Sequence, residues 1–362
     1  MLIVDAHEDL AWNMLTFGRG YTRSAEETCR LEAGGPVPDR NGDTLLGWPD
    51  YQRGRVAVVI ASLFAAPLRR RLGEWDRLVY ANGDQAYDLY RSQLDAYQRL
   101  VEDAPDKFRL VCSLPDLEKV LSAWEDEGRE SRPVGLVVLM EGAECLREPG
   151  ELEGWWERGV RVIGPAWAGT RFCGGTREPG PLTGEGYALL EGMAALGFIL
   201  DISHMDEEAA LQALDFYPGA VIASHSNAVA LLKGCESNRF LSDHLLKRLI
   251  ERNGVVGIVP YNKFLLWGWS ARDGRAAVSL EHVAAQIDYV CQMAGSAAHV
   301  GIGSDFDGGF GLQSAPDGID TIADLVKLTP LLAEKGYTED EIGAILGGNW
   351  LSLLRRTLPQ VE

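Results

Sequence analysis

Five sets of side chains able to ligate a metal ion stand just past short apolar runs: His7 and Asp9 after LIVDA, Glu141 after GLVVLM, His204 after GFILDIS, His225 after AVIAS, and Asp305 after HVGIGS. In a strand, residues i and i+2 face the same side, so His7 and Asp9 can grip one ion together. The imidazoles of His204 and His225 suit Zn²⁺ and its borderline neighbours. A carboxylate such as Glu141 can bridge two ions about 3.5–4 Å apart, a spacing common to two-metal hydrolases. The donors therefore divide as His–Asp for one metal and His–His for the other, with Glu shared and positions left for water. A lone H-x-D tripeptide carries little weight, and Glu141 alone reads as readily as a carboxylate at a helix start. The joint placement carries more. Of six histidines, three follow apolar runs, whereas His299 precedes its run and His244 and His282 fall in helical segments, so these last three are read as structural. Asp5 and Asp201, inside their runs, are read as partners that orient the ligating imidazoles.

The elements that must position these groups follow from the same runs. A fully apolar stretch of four to eight residues is the mark of a strand buried on both faces. RVAVVIASL (55–63), VRVIG (160–164) and GVVGIV (254–259) join the five runs above to give eight candidate strands. Between most of them lie helical patterns. In 83–103, Ala86, Leu89, Tyr90, Leu94, Tyr97 and Leu100 recur at spacings of three and four, which predicts an amphipathic helix. Ser113, Asp206, Ser242, Ser279 and Thr338 read as helix N-caps. Eight alternating β/α units predict a parallel sheet closed as a (β/α)8 TIM-type barrel, whose catalytic groups stand at the C-terminal ends of the strands. No Pro/Gly/Ser-rich linker divides the chain, so residues 1–362 are expected to form one barrel domain. The polar stretch 18–53, without clear periodicity, is expected as an insertion over the catalytic face, and the Gly-rich stretch 169–185 as a second lid.

A net charge of −19, from 34 basic and 53 acidic residues, argues against nucleic-acid or anionic-membrane partners. The start MLIVDAHEDL has no secretion-signal pattern, no apolar run reaches about 18 residues, and the six cysteines are scattered without a CxxC pair. The expectation is a cytoplasmic protein with reduced thiols.

Several blocks also carry a family likeness. DAHEDL, the EG of LMEGAE, LDISH, ASHSNA, NRFLSDHLLKRL and HVGIGSDFDG resemble the corresponding blocks of the renal or membrane dipeptidase family, within the metal-dependent amidohydrolase superfamily. The likeness runs from residue 3 to residue 354 or so. It implies a barrel holding two zinc ions that cleaves small dipeptides with a free C-terminal carboxylate, as a homodimer. Carried onto this chain, it implies that His7 and Asp9 hold one zinc and that His204 and His225 hold the other. Glu141 would bridge the two, and a hydroxide between them would be the nucleophile. By the same likeness Asp305 is the acid/base carboxylate, Arg239 clamps the substrate carboxylate, and Tyr261 is a wall of that pocket. One position departs from the family: Trp167 stands where the better-known animal members have a histidine that polarises the scissile carbonyl. An indole has one N–H donor and no positive charge, so this change bears on substrate class. The other readings are hydrolysis of a different small amide, such as an N-acyl amino acid, a lactam or a D-residue peptide, and a barrel without catalytic activity.

Overall fold

The computed structural model describes residues 1–361 except 127 and 149. Residues 127, 149 and 362, which the single-barrel expectation also covers, lie outside the described residues. The apolar runs form eight parallel strands: β1 (Ile3–Glu8), β2 (Val56–Phe64), β3 (Val134–Glu141), β4 (Val160–Gly164), β5 (Ile199–Asp201), β6 (Val221–Ile222), β7 (Val256–Ile258) and β8 (Val300–Ile302). Their spatial order is β6-β5-β4-β3-β2-β1-β8-β7. A parallel bridge between Ala223 and Val256 brings β6 beside β7, so the sheet comes round on itself in chain order as a (β/α)8 barrel. Every residue of these strands but Phe64 is buried, which is why they read as continuous apolar runs instead of alternating ones.

Register decides what stands at the rim. β2 and β3 pair from Val58↔Gly135 to Phe64↔Glu141, and β4 adds Glu141↔Gly164, so Glu141 ends its strand level with the last residues of both neighbours. β1 and β8 pair at Asp5↔Ile302, with a further bridge Glu8↔Phe306 that sets the Asp305 turn beside the His7 end of β1.

The helix Gly83–Asp103 covers β2 and β3 with Ala86, Tyr90, Leu94, Tyr97 and Leu100 buried, while Leu89 is only partly so. It also carries polar ties to the rim. The Tyr97 hydroxyl donates to the Ser62 carbonyl at 2.7 Å, and Gln93 brackets the backbone of Phe64, accepting from its N–H and donating to its C=O. Ser113, Asp206, Ser242 and Thr338 each accept a backbone N–H of the helix they precede, and Ser279 does so within a capping box. Three features had no strong signal in the sequence. Phe108–Leu110 adds a short strand beside β3, residues 173–182 fold as a hairpin (Cys173–Gly175 with Glu178–Leu182), and 18–53 contains three helices, Ala25–Glu32, Val37–Asn41 and Trp48–Gly54. One or two turns are too short for a 3.6-residue period to show.

Among the ties between the 18–53 stretch and the barrel, several converge on one side chain. Asp307 accepts from the Tyr21 hydroxyl at 2.8 Å and the Thr44 hydroxyl at 2.7 Å, and pairs with Arg19 at 3.0 Å. Its carbonyl takes the amides of Asn13 and Asn41. Both Asp307 and Arg19 are buried. Removing one partner of a buried pair costs about 3–5 kcal/mol where the other charge is stranded; Arg19 keeps Glu32 at 3.0 Å, which places this loss at the low end. Asp307→Ala should therefore lower unfolding stability by about that amount and open 18–53 to proteolysis. Denaturant unfolding with a loss near zero, or unchanged cleavage in that stretch, would contradict the anchoring role.

Candidate metal centre

His7, Asp9, Glu141, His204, His225 and Asp305 meet at the rim where β1, β3, β5, β6 and β8 end. Two donor groups share Glu141: His7 with Asp9, and His204 with His225; His7, His225 and Asp305 form a third group. Glu141 Oε1 lies 2.9 Å from His204 Nε2 and 3.4 Å from His225 Nε2, and the two Nε2 atoms are 3.0 Å apart. Its other oxygen lies 3.6 Å from His7 Nε2, which also faces Asp9 at 3.9 Å and Asp305 at 4.0 Å. The His7 ring stacks on that of His225 with centroids 3.7 Å apart.

Hydroxyl groups orient this cluster from behind. Asp201 accepts the hydroxyls of Ser203 and Ser224, and Ser224 Oγ lies 2.8 Å from His225 Nδ1. A serine has one hydrogen to give, and here it goes to the Asp201 carboxylate. The oxygen must then accept from His225 Nδ1–H, which leaves the lone pair on Nε2, aimed at Glu141. His204 Nδ1 meets the Thr176 hydroxyl at 2.9 Å, Asp9 takes the Ser62 hydroxyl, and the Tyr90 hydroxyl donates to the Glu141 carbonyl. Asp201 thus orients an imidazole through Ser224, as expected of it. Asp5 does not touch a ring: it accepts the N–H and hydroxyl of Ser304 and the His7 N–H, fixing the β8 end against β1.

The electrostatics fit a cation site. Burial lowers His204 to about 4, with Arg239 adding to the effect. Burial, then His7 and Arg239, take His225 well below its ordinary value. Both rings are therefore neutral ligands near pH 7. Burial would also lower His7, but Glu141, Asp9 and Asp305 raise it to about 10. Burial and Glu141 raise Asp9 to about 6, and burial holds Asp305 well above the carboxylate range against the pull of His7. Burial likewise opposes ionisation of Glu141, but the His7 charge and the imidazole hydrogen bonds hold it well below that range. Both ring nitrogens of His7 are buried without a hydrogen-bond partner among the described residues. Such an orphaned imidazole, facing three carboxylates beside two neutral imidazoles, is a donor set that fits a divalent metal. The sequence missed Gly308. A Cβ there would lie 2.0 Å from Asp305 Oδ1 and 2.8 Å from Asp9 Oδ2, so only glycine leaves those carboxylates in place.

The cluster floors a cavity of about 440 Å³ whose walls include the three other residues the sequence singled out. Trp167 is half-buried, 6.0 Å from the His204 ring and 5.1 Å from Phe64. Tyr261 stacks on Phe310 at 4.1 Å. Arg239 is buried, and part of its guanidinium serves the protein: Nη1 donates to the Ser203 carbonyl and Ser226 hydroxyl at 2.8 Å, and Nη2 to the His225 carbonyl at 2.7 Å. Its Nε–H has no partner among the described residues. Burial pulls its pKa down, while Asp305, Glu141 and Asp201 push it up.

Known proteins share this architecture and sequence. The chain is 32% identical over 285 residues to an uncharacterized protein in the pqqA 5′ region of Klebsiella pneumoniae, covering 75% of this chain and 97% of that protein. It is 28% identical over 363 residues to dipeptidase aclJ of Aspergillus oryzae, covering 97% of this chain and 77% of that one. Among solved structures, a Rhodobacter sphaeroides metallo peptidase liganded with a phosphinate mimic of L-Ala-D-Ala superposes with a TM-score of 0.78 over 99% of both chains; at 23% identity it shows a shared fold. The membrane dipeptidase family, Peptidase family M19, matches residues 1–361, so the chain belongs to that family and is a metal-dependent dipeptidase.

Proposed function

We propose that this chain is a binuclear zinc hydrolase that cleaves dipeptides bearing a free C-terminal carboxylate. The observation that carries the reading is the pair of donor groups sharing Glu141. His7 and Asp9 would hold one ion and His204 and His225 the other, with Glu141 common to both. The chemistry that bound zinc would supply at these residues is Lewis-acid polarisation of the scissile carbonyl and a lowering of the pKa of water toward about 7. The chain's own residues do the rest. Asp305 stands over the cluster with its side chain 14% exposed to the cavity, and burial favours its protonated form. In its ionised form, which the His7 charge favours, this group can take a proton from the attacking water, and the carboxyl so formed, which burial favours, can hand it to the leaving amine. Arg239 offers Nε–H and the remaining Nη2 hydrogen to the substrate carboxylate, a planar fork that lysine cannot copy. Tyr261 and Trp167 bound the space between, and Trp167 against His204 supports a choice among small amides different from that of relatives with a histidine there. All six cysteines are free, which supports the cytoplasm as its compartment. Among the described residues, no helix is long and apolar enough to cross a membrane.

Three outcomes test this. Elemental analysis of the reconstituted protein should find about two zinc ions per chain, both depleted in Glu141→Ala but chiefly one in His225→Ala; equal depletion would contradict the shared role of Glu141. Asp305→Asn should lower kcat by about 10²–10⁴ while metal content stays near normal. Retention of most turnover would remove Asp305 from proton transfer. Because Arg239 also fixes the carbonyls of Ser203 and His225, Arg239→Ala should slow all substrates, yet raise KM further for free dipeptides than for their C-terminal amides. An equal effect on both would show that Arg239 is only a strut for the histidine loops, and would favour a different small amide as substrate.

A further inference from the structure

Four cationic side chains line the cavity, and they are not equivalent. Arg239 is buried and largely committed to the loops that carry His204 and His225. Arg70 is neutralised by Glu178 at 2.7 Å. Arg177 and Lys263 are exposed at the mouth, and among the described residues neither side chain has a carboxylate or hydrogen-bond partner.

Their backbones are fixed on the side of Arg239. Arg177 sits at the turn of the 173–182 hairpin with φ +64°, and its N–H donates to Asn238 Oδ1 at 2.9 Å. Asn238 in turn donates to the Gly175 carbonyl and to Asp206, so the turn is held against the residue next to Arg239. Lys263 lies in the short helix Asn262–Leu265, which begins directly after Tyr261. Arg177, Lys263 and Tyr261 line the same cavity.

Resting on the dipeptidase reading above, we infer that Arg177 and Lys263 form a subsite for a second carboxylate, and that the preferred substrates are dipeptides whose C-terminal residue is aspartate or glutamate. Arg239 takes the α-carboxylate, and the side-chain carboxylate of the same residue reaches the mouth. Among the described residues neither side chain is held in an ion pair, so an anion there gains charge-assisted contacts at small desolvation cost. The neutral amide of the same shape gains neither.

The test compares isosteric pairs on the zinc-loaded enzyme: Ala-Glu with Ala-Gln, and Glu-Ala with Gln-Ala. Wild type should favour Ala-Glu over Ala-Gln by roughly tenfold in kcat/KM, and the preference should shrink with added salt because both cations are exposed. In the Arg177→Ala/Lys263→Ala double variant the ratio should fall to about one. Equal rates on Ala-Glu and Ala-Gln, a ratio unmoved by the double variant, or a preference confined to Glu-Ala over Gln-Ala would each overturn the assignment. No turnover on any of the four would refute the dipeptidase reading alone. The subsite is then read by calorimetry on the same protein, where glutarate must bind more tightly than butyrate and lose that advantage in the double variant; equal binding overturns it.

Discussion

The structure turns on one buried carboxylate. Glu141 ends β3 at the rim with an oxygen toward His204 and His225 and the other toward His7, and only 4% of it is exposed. An isolated carboxylate there would be neutralised, since burying an unpaired charge costs several kcal/mol. It stays ionised because the His7 charge and the hydrogen bonds of the three imidazoles favour the carboxylate. Burial raises Asp9 and Asp305, with the Glu141 charge adding to both, while the surrounding carboxylates make His7 strongly basic against its own burial. Negative charge concentrated this far from water is stable only against positive charge, and the neutral His204 and His225 cannot provide it. The site is built to hold cations, and the barrel holds its members in place so that they cannot relax apart.

That holding depends on polar side chains that themselves bind nothing. Asp201 acts on His225 through Ser224, Thr176 acts on His204 from the 173–182 hairpin, and Tyr90 and Tyr97 tie strand ends to the helix behind them. Each fixes one degree of freedom of a rim residue. A rim built this way tolerates little change in backbone volume. Near the centre, a Cβ at Gly303 would lie 1.8 Å from the Ser224 carbonyl and one at Gly257 would lie 1.9 Å from it, so the closure of β6, β7 and β8 needs glycine at both positions. Closure and ligand orientation thus rest on the same few residues around Ser224.

Much of this was legible in the sequence because its physics is local. A strand buried on both faces must be apolar throughout, so all eight strands are visible as runs; an N-cap must accept backbone N–H groups, so Ser113 or Asp206 marks its helix without knowledge of the fold. The ligand candidates were legible because a chain with six histidines has few ways to put three of them after such runs. What stayed hidden depends on distant pairings. Nothing around Asp307 announces that it will take Tyr21, Thr44 and Arg19, more than 260 positions away in the chain. Gly308 looks like any turn glycine until Asp305 and Asp9 are seen to fill the space beside it. Asp5 and Asp201 occupy like positions in like runs, yet only Asp201 finds a serine that reaches a ring.

Arg239 shows how the two kinds of knowledge combine. Sequence likeness assigns it to the substrate, whereas its hydrogen bonds assign it first to the carbonyls of Ser203 and His225. These roles are compatible because a guanidinium has five donors in one plane, and fixing some of them in the protein aims the rest. A residue so committed cannot move to suit different ligands. Discrimination among substrates must then come from less constrained groups, which are the aromatic walls and the exposed cations at the mouth. A net charge of −19 repels anions at long range, but salt screens that field within about 8 Å, so a local pair of cations outweighs it once the ligand is inside the cavity. Selectivity in this enzyme is accordingly a contact property of the rim loops, while the chemistry beneath them is fixed by the barrel.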